Sequence, residues 1–100
     1  MTSKTIGYCG VDSGQLLIAD PCYLKDWRAG DYDPVHKRGD GNHYNEACYT
    51  TMNEDMGGEV LISGVAGTGV AVSTGYGDGN YPVVAHYKDG RVQKITITFF

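Results

Sequence analysis

The chain has 100 residues, 41% of them apolar, and eight Lys and Arg against twelve Asp and Glu, a net charge of −4. That length supports a single domain with one core, and the composition is that of a globular protein. The acidic balance argues against a surface that tracks long nucleic acid, which needs clustered Lys and Arg, but it leaves room for a single nucleotide or small phosphate ligand.

The opening residues Met1 to Thr5 run into Ile6 with no signal-peptide core, and no apolar run approaches a membrane span, so a cytoplasmic protein without a membrane partner is expected. Period-two patterning marks Ile6 to Val11 and Gln15 to Ala19 as strands, expected to form a hairpin across Asp12-Ser13-Gly14 with positive φ at Gly14. Pro21 ends the second strand and restricts Asp20 to extended geometry. From Asp26 to Asn42 the chain holds four Asp, three Gly and a Pro, the composition of a long loop. Asn45 to Met52 is the one helical segment, capped by Asn42 or Asn45.

Strands are expected at Val60 to Ser63 and Val70 to Thr74, and then at Val83 to Tyr87 and Val92 to Thr98. Asp89-Gly90 joins the last pair in a two-residue type I′ turn. With Lys88 facing Arg91, His86 faces Gln93 and Val84 faces Ile95, which sends Val84, Ile95, Ile97 and Phe99 to the core. These elements make one domain over 1–100, mainly β: a small antiparallel β-sandwich or barrel of hairpins with at most one short helix.

Three cysteines, Cys9, Cys22 and Cys48, are widely spaced and odd in number, which fits reduced thiols acting as small apolar fillers. A zinc site from Cys22, Cys48 and His36 or His43 lacks the Cys-x-x-Cys pair that fixes two ligands locally. Asp31, Asp33 and Asp40 lack the later spacing and terminal Glu of a calcium loop. No metal and no cofactor is therefore expected.

Two clusters carry the functional signal. Gly75-Tyr76-Gly77-Asp78-Gly79-Asn80-Tyr81-Pro82 crowds glycines, phenols and a carboxylate into a turn that feeds a strand. Such a loop offers stacking rings and hydrogen-bonding groups to a flat ligand. It precedes a strand and lacks Gly-Lys-Ser/Thr, so it is neither a dinucleotide fingerprint nor a P-loop. The second cluster comprises Asp12, Ser13 and Gln15 with Asp20 and Tyr23. Asp12 and Asp20 fall at opposite ends of the expected hairpin, too far apart to act as a carboxylate pair. His86 is the histidine nearest the glycine loop in sequence. The expected ligand-binding set is Asp12, Ser13, Gln15, Asp20, Tyr23, Tyr76, Asp78, Tyr81 and His86.

The runs Gly75 to Val83, Asp89-Gly90-Arg91-Val92 and Ile97-Thr98-Phe99 resemble the end of the domain-of-unknown-function family 4241. Val11-Asp12-Ser13-Gly14 and Asp20-Pro21-Cys22-Tyr23 are similar to small proteins of phages and bacteria. The resemblance implies a phage-like protein, in the host cytoplasm if phage-encoded, that captures a nucleotide-derived host immune signal such as a cyclic nucleotide. In that reading Tyr76, Tyr81 or Tyr23 stacks on a base and the glycine backbone holds phosphate oxygens. Asp78 or Gln15 reads a base edge or ribose, and Lys37, Arg38 or Arg91 offsets phosphate charge. A homodimer would let two Tyr76–Tyr81 loops share one ligand. The alternatives are a metal-independent hydrolase using His86 or His43 with Asp12 or Asp20, and an inhibitor of a host protein that docks through an edge strand or the long loop.

Overall fold

The computed structural model describes residues 2–35 and 41–100, so the readings placed on His36, Lys37, Arg38 and Asp40 lie outside the described residues. In chain order the elements are β1 (Thr2–Val11), β2 (Gln15–Ala19), α1 (Pro21–Leu24), α2 (His43–Thr51), β3 (Gly57–Glu59), β4 (Gly69–Ser73), β5 (Gly79–Lys88) and β6 (Arg91–Ile97). The six strands form two antiparallel sheets, ordered β1-β5-β6 and β2-β4-β3, and neither closes into a barrel. The protein is mainly β, as its patterning predicts. Its contacts divide it into two compact units, residues 1–14 with 74–100 and residues 15–73. Among the described residues no helix is long and apolar enough to cross a membrane.

The first unit corrects the expected N-terminal hairpin. β1 does not pair with β2; it pairs with β5 from Thr2↔Tyr87 to Val11↔Gly79, while β2 pairs with β4. Both β1 and β5 have ten residues, so their ladder satisfies backbone groups that the five-residue β2 would leave open. Gly14 does take positive φ, at 73°.

The Asp89-Gly90 turn forms as predicted, with φ of 54° and 75° at its two residues, the signature that makes Asp-Gly the preferred composition for it. Lys88 faces Arg91 and Tyr87 faces Val92. Beyond them the register shifts, so that His86 faces Lys94, Ala85 faces Ile95 and Val84 faces Thr96. The extra residue is a β-bulge, and one residue of slip moves Val84 and His86 to the opposite face from Ile95 and Ile97. The core of this unit is accordingly Val11, Tyr81 and Ala85. Phe99 meets the Tyr81 ring edge-on at 5.2 Å.

In the second unit β2 ends at Ala19, and the chain enters the single turn α1 at Pro21. Asp20 is extended, at φ −67° and ψ 134°, and its carboxylate accepts the Cys22 N–H, so the Asp-Pro pair both stops the strand and starts the helix. α2 begins two residues earlier than predicted. Asn42 caps it by accepting the Asn45 N–H, while Asn45 lies inside the helix, 1% exposed. The strand expected at Val60 to Ser63 lies earlier, at β3. Val60 still donates to the Gly69 carbonyl, but the Thr68 hydroxyl takes the Ile62 N–H, and the chain then turns through a 3₁₀ segment, Ile62–Gly64. Ala47, Val60 and Ala71 form the buried center, with Leu17 and Trp27 packed against it.

Candidate functional site

Because β1 and β5 run antiparallel and their ladder ends at Val11↔Gly79, the loop leaving β1 and the loop entering β5 emerge from the same end of the sheet. Thr74, 3% exposed, ties them together. Its N–H donates to the Gly14 carbonyl at 3.0 Å, and its hydroxyl reaches the Gly77 carbonyl at 2.9 Å and the Gly14 carbonyl at 3.3 Å. The Tyr76 N–H donates back to that hydroxyl. Gly75 and Gly77 both sit at φ 75°, a conformation that lets the loop double back over Thr74. Two clusters that are some sixty residues apart in the chain thus become neighbors.

Asp12, Ser13, Asp78 and Asn80 are exposed on these loops, and Tyr76 is 68% exposed. No Lys or Arg occurs in residues 10–14 or 74–82. Two carboxylates with no local cation make a negative surface, suited to accepting hydrogen bonds from hydroxyl or amino groups and unsuited to phosphate. Tyr81, expected to stack on a ligand, is instead 2% exposed. Its ring packs against Phe99 and Phe100, and its hydroxyl donates to the Gly77 carbonyl, so it supports the loop from below.

His86 is separated from the loops. It lies seven residues along β5 from Gly79, about 23 Å at the rise of a strand, and its ring Nε2 contacts the Thr96 hydroxyl at 2.8 Å. Arg91 lies farther still, beyond the Asp89-Gly90 turn. Neither can act on a ligand held at Asp12 or Asp78.

The remaining expected residues belong to the second unit. Gln15 is engaged with α2: its amide donates to Cys48 Sγ at 3.2 Å and its carbonyl accepts from Thr51. Cys48 also hydrogen bonds Tyr44, which pushes the Tyr44 phenol above its ordinary value of 10.0. Asp20 and Tyr23 do come together, lining a shallow cavity of about 290 Å³ with Ile18 and the segment 67–70. Hydrogen bonds from the Cys22 backbone and side chain hold the Asp20 carboxyl below its ordinary 3.8, and the bond to Asp20 raises the Cys22 thiol above 9.0. All three cysteines are free, yet Cys22 is exposed and Cys9 and Cys48 are only half-buried, so none is the apolar filler expected.

Sequence reasoning missed the polar start of α2. Asn42 holds the Gly30 N–H and the Asp31 carbonyl. Asn45 clamps Asp33 through both its N–H and its carbonyl, at 2.9 and 3.0 Å. Glu46, 3% exposed, accepts the Leu61 N–H, and His43 accepts the Arg28 N–H. Each polar side chain pairs with the backbone of a neighboring loop and so ties that loop to α2. The available signal was the run Asn42-His43-Tyr44-Asn45-Glu46, too polar for an ordinary amphipathic helix. Among the described residues no three His, Cys, Asp or Glu side chains gather as a metal site requires.

A family model described as a protein of unknown function, DUF4241, matches residues 4–97. The chain belongs to the DUF4241 family. The match spans both units, so the two-loop arrangement and the α2 hub both lie within the DUF4241 region. No curated protein and no solved structure matches this DUF4241 chain.

Proposed function

We propose that this protein binds a small polar ligand on the paired loops around Asp12 and Asp78, and that the ligand is a nucleotide-derived signal recognized through its nucleoside part. The observation that carries this reading is an exposed tyrosine ring, Tyr76, on a glycine-built loop pinned beside a second loop, with a carboxylate on each. The ring stacks on a base, and Asp12 and Asp78 accept from ribose hydroxyls or an exocyclic amine. Ser13 and Asn80 add donors. The setting proposed with this reading is capture of a host immune signal by a phage-like protein.

Thermal stability measured against cyclic dinucleotides, adenosine-diphosphate-ribose derivatives and plain nucleosides tests the proposal. At ligand 100-fold above Kd, binding adds about 2.7 kcal/mol to the stability. The ligand should come back chemically intact after the protein is denatured, and Tyr76→Ala or Asp78→Ala should abolish the shift without changing the unliganded melting temperature. Converted ligand would favor a hydrolase. No shift with any ligand would refute small-molecule capture and leave docking to a host protein.

A further inference from the structure

We propose that β2 is the contact strand of a homodimer, in which two copies of this chain pair β2 with β2 antiparallel about a two-fold axis at Leu17. Among the described residues the two sheets have four edges, β1 and β6 in one and β2 and β3 in the other. Proteins blunt such edges against association with short strands, bulges and charged side chains. β1 carries Lys4 and a bulge between Thr5 and Gly7 in its ladder with β5, and β6 carries Arg91, Lys94 and the extra residue Gln93. β3 is only the three residues Gly57-Gly58-Glu59. β2, Gln15-Leu16-Leu17-Ile18-Ala19, holds no charge, no proline and no bulge, so it is the one described edge left open.

The ladder fixes which backbone groups are free. Thr74 donates to the Gly14 carbonyl on the β2 side, whereas Ser73 donates to Met56 on the β3 side, so successive residues of β4 point to opposite neighbors. By that alternation Leu16 and Ile18 bond β4, and Gln15, Leu17 and Ala19 turn their N–H and C=O groups outward. Among the described residues no hydrogen bond reaches those outward groups. With Leu17 opposite the partner's Leu17, Gln15 falls opposite the partner's Ala19, and Ala19 opposite the partner's Gln15. Three residues on each chain, each with one donor and one acceptor, then close six interchain hydrogen bonds and leave none of these groups open. A slip of two residues one way would set Gln15 against the partner's Pro21, which has no N–H to give, and a slip the other way would set Ala19 against the partner's Ser13, in the bend before β2.

The side chains agree with this register. Leu17 packs inward against the Ala47, Val60 and Ala71 core, so Leu16 and Ile18 lie on the opposite face, beside Val72 and Val70. Ile18 is 50% exposed and Val70 44%. Pairing sets Leu16 against the partner's Ile18 and Ile18 against the partner's Leu16, each at the close spacing of a non-hydrogen-bonded pair. The two Asp20 carboxylates end about 20 Å apart, where salt screens them, so a chain of net charge −4 meets its copy without repulsion at the seam. The chain exposes 6663 Å², about 1,100 Å² more than the roughly 5,500 Å² expected of a folded monomer of 10.8 kDa. An interface of standard size takes about 800 Å² from each partner, so the surplus is sufficient to supply one.

This interface uses residues of the second unit alone and does not rest on the loop reading above. The test is sedimentation equilibrium of the full chain across a concentration series, with amide hydrogen exchange read by NMR on the same samples. The mass should rise from 10.8 kDa toward twice that value. Exchange at Gln15, Leu17 and Ala19 should slow as the dimer fills, while Leu16 and Ile18, already bonded to β4, keep their rates. Ala19→Pro leaves every bond to β4 in place and removes two interchain bonds, so it should weaken the dimer about thirtyfold. Ile18→Lys sets an ammonium against the partner's Leu16 and should weaken it at least about tenfold. Circular dichroism of both variants should match that of the parent chain; if neither folds, the exchange pattern of the parent decides alone. The proposal is overturned by a chain that stays at 10.8 kDa at every concentration, by a dimer indifferent to both variants, or by protection that grows along β1 or β6 instead. A monomer whose Gln15, Leu17 and Ala19 amides are protected only when another protein is added would give the edge to a different partner and also overturn it.

Discussion

Thr74 and Tyr81 both donate to the Gly77 carbonyl, and that shared acceptor yields a quantitative prediction about the paired loops. Thr74→Val is nearly isosteric and removes the hydroxyl, but it leaves the Gly77 carbonyl with the Tyr81 hydroxyl at 3.2 Å and the Gly14 carbonyl with the Thr74 N–H at 3.0 Å. Tyr81→Phe removes one phenol and leaves Thr74 in place. Tyr81→Phe should cost about 1 kcal/mol, the net worth of one hydrogen bond, and Thr74→Val about 1–2 kcal/mol, because the Tyr76 N–H loses its acceptor as well. Together they strip the Gly77 carbonyl of both side-chain donors while it points between two residues that are 2% and 3% exposed. The double variant should therefore cost about 3–4 kcal/mol, because an inward-facing carbonyl without a donor carries a desolvation penalty that neither single variant meets. Urea unfolding of the four proteins, read by circular dichroism, gives the coupling directly. Additivity to within about 0.5 kcal/mol would refute the shared-acceptor argument and, with it, the claim that these two side chains hold the loop.

Two further outcomes follow from the second unit. Asn45→Ala removes both hydrogen bonds to Asp33 and opens a small void, which should destabilize the protein by about 2–3 kcal/mol and accelerate amide exchange at Asp33. The Asp20 and Cys22 shifts have opposite pH signatures. Asp20 is held below 3.8, so its cap is fully present above that value and is lost as pH falls through its depressed midpoint; the raised Cys22 thiol favors the folded state below 9.0 and loses that contribution as pH rises through its own midpoint. Alkylation of Cys22 by iodoacetamide should show a midpoint above 9.0 that moves back toward it in Asp20→Asn. An unchanged midpoint would show that Asp20 does not control the thiol.

What could be read from the sequence was local. Asp89-Gly90, Asp20-Pro21 and the Asn42 cap each act through one or two residues, and each formed as its chemistry dictates. The partner of β1 was not legible, because the choice between β2 and β5 depends on ladder length and on contacts some seventy residues apart. The bulge opposite the His86–Tyr87 step was hidden for a related reason: Val92-Gln93-Lys94-Ile95 accepts either register by pattern, and burial of Ala85 goes with the one observed. In the loop entering β5, composition predicted exposed positions for Tyr76 and Asp78, and both are exposed. Tyr81 was misread because a phenol five residues away serves equally as a ligand group or as a buried prop with one hydrogen bond. The α2 hub escaped notice since its buried face carries Asn, His, Glu and Thr beside the single apolar Ala47, and hydrophobic periodicity cannot report a face that packs largely through polar side chains.

The pairing of β1 with β5 also bears on how the protein is made. A ribosome completes residues 15–73 before any of β5 exists, so the second unit can find all its strands while β1 still waits with both edges open. The first unit then closes by a contact as distant as Thr2 with Tyr87, which is slow for entropic reasons. During that interval β1 is the segment most exposed to wrong partners. Its charged Lys4 is a feature that discourages edge-to-edge association until the proper strand arrives.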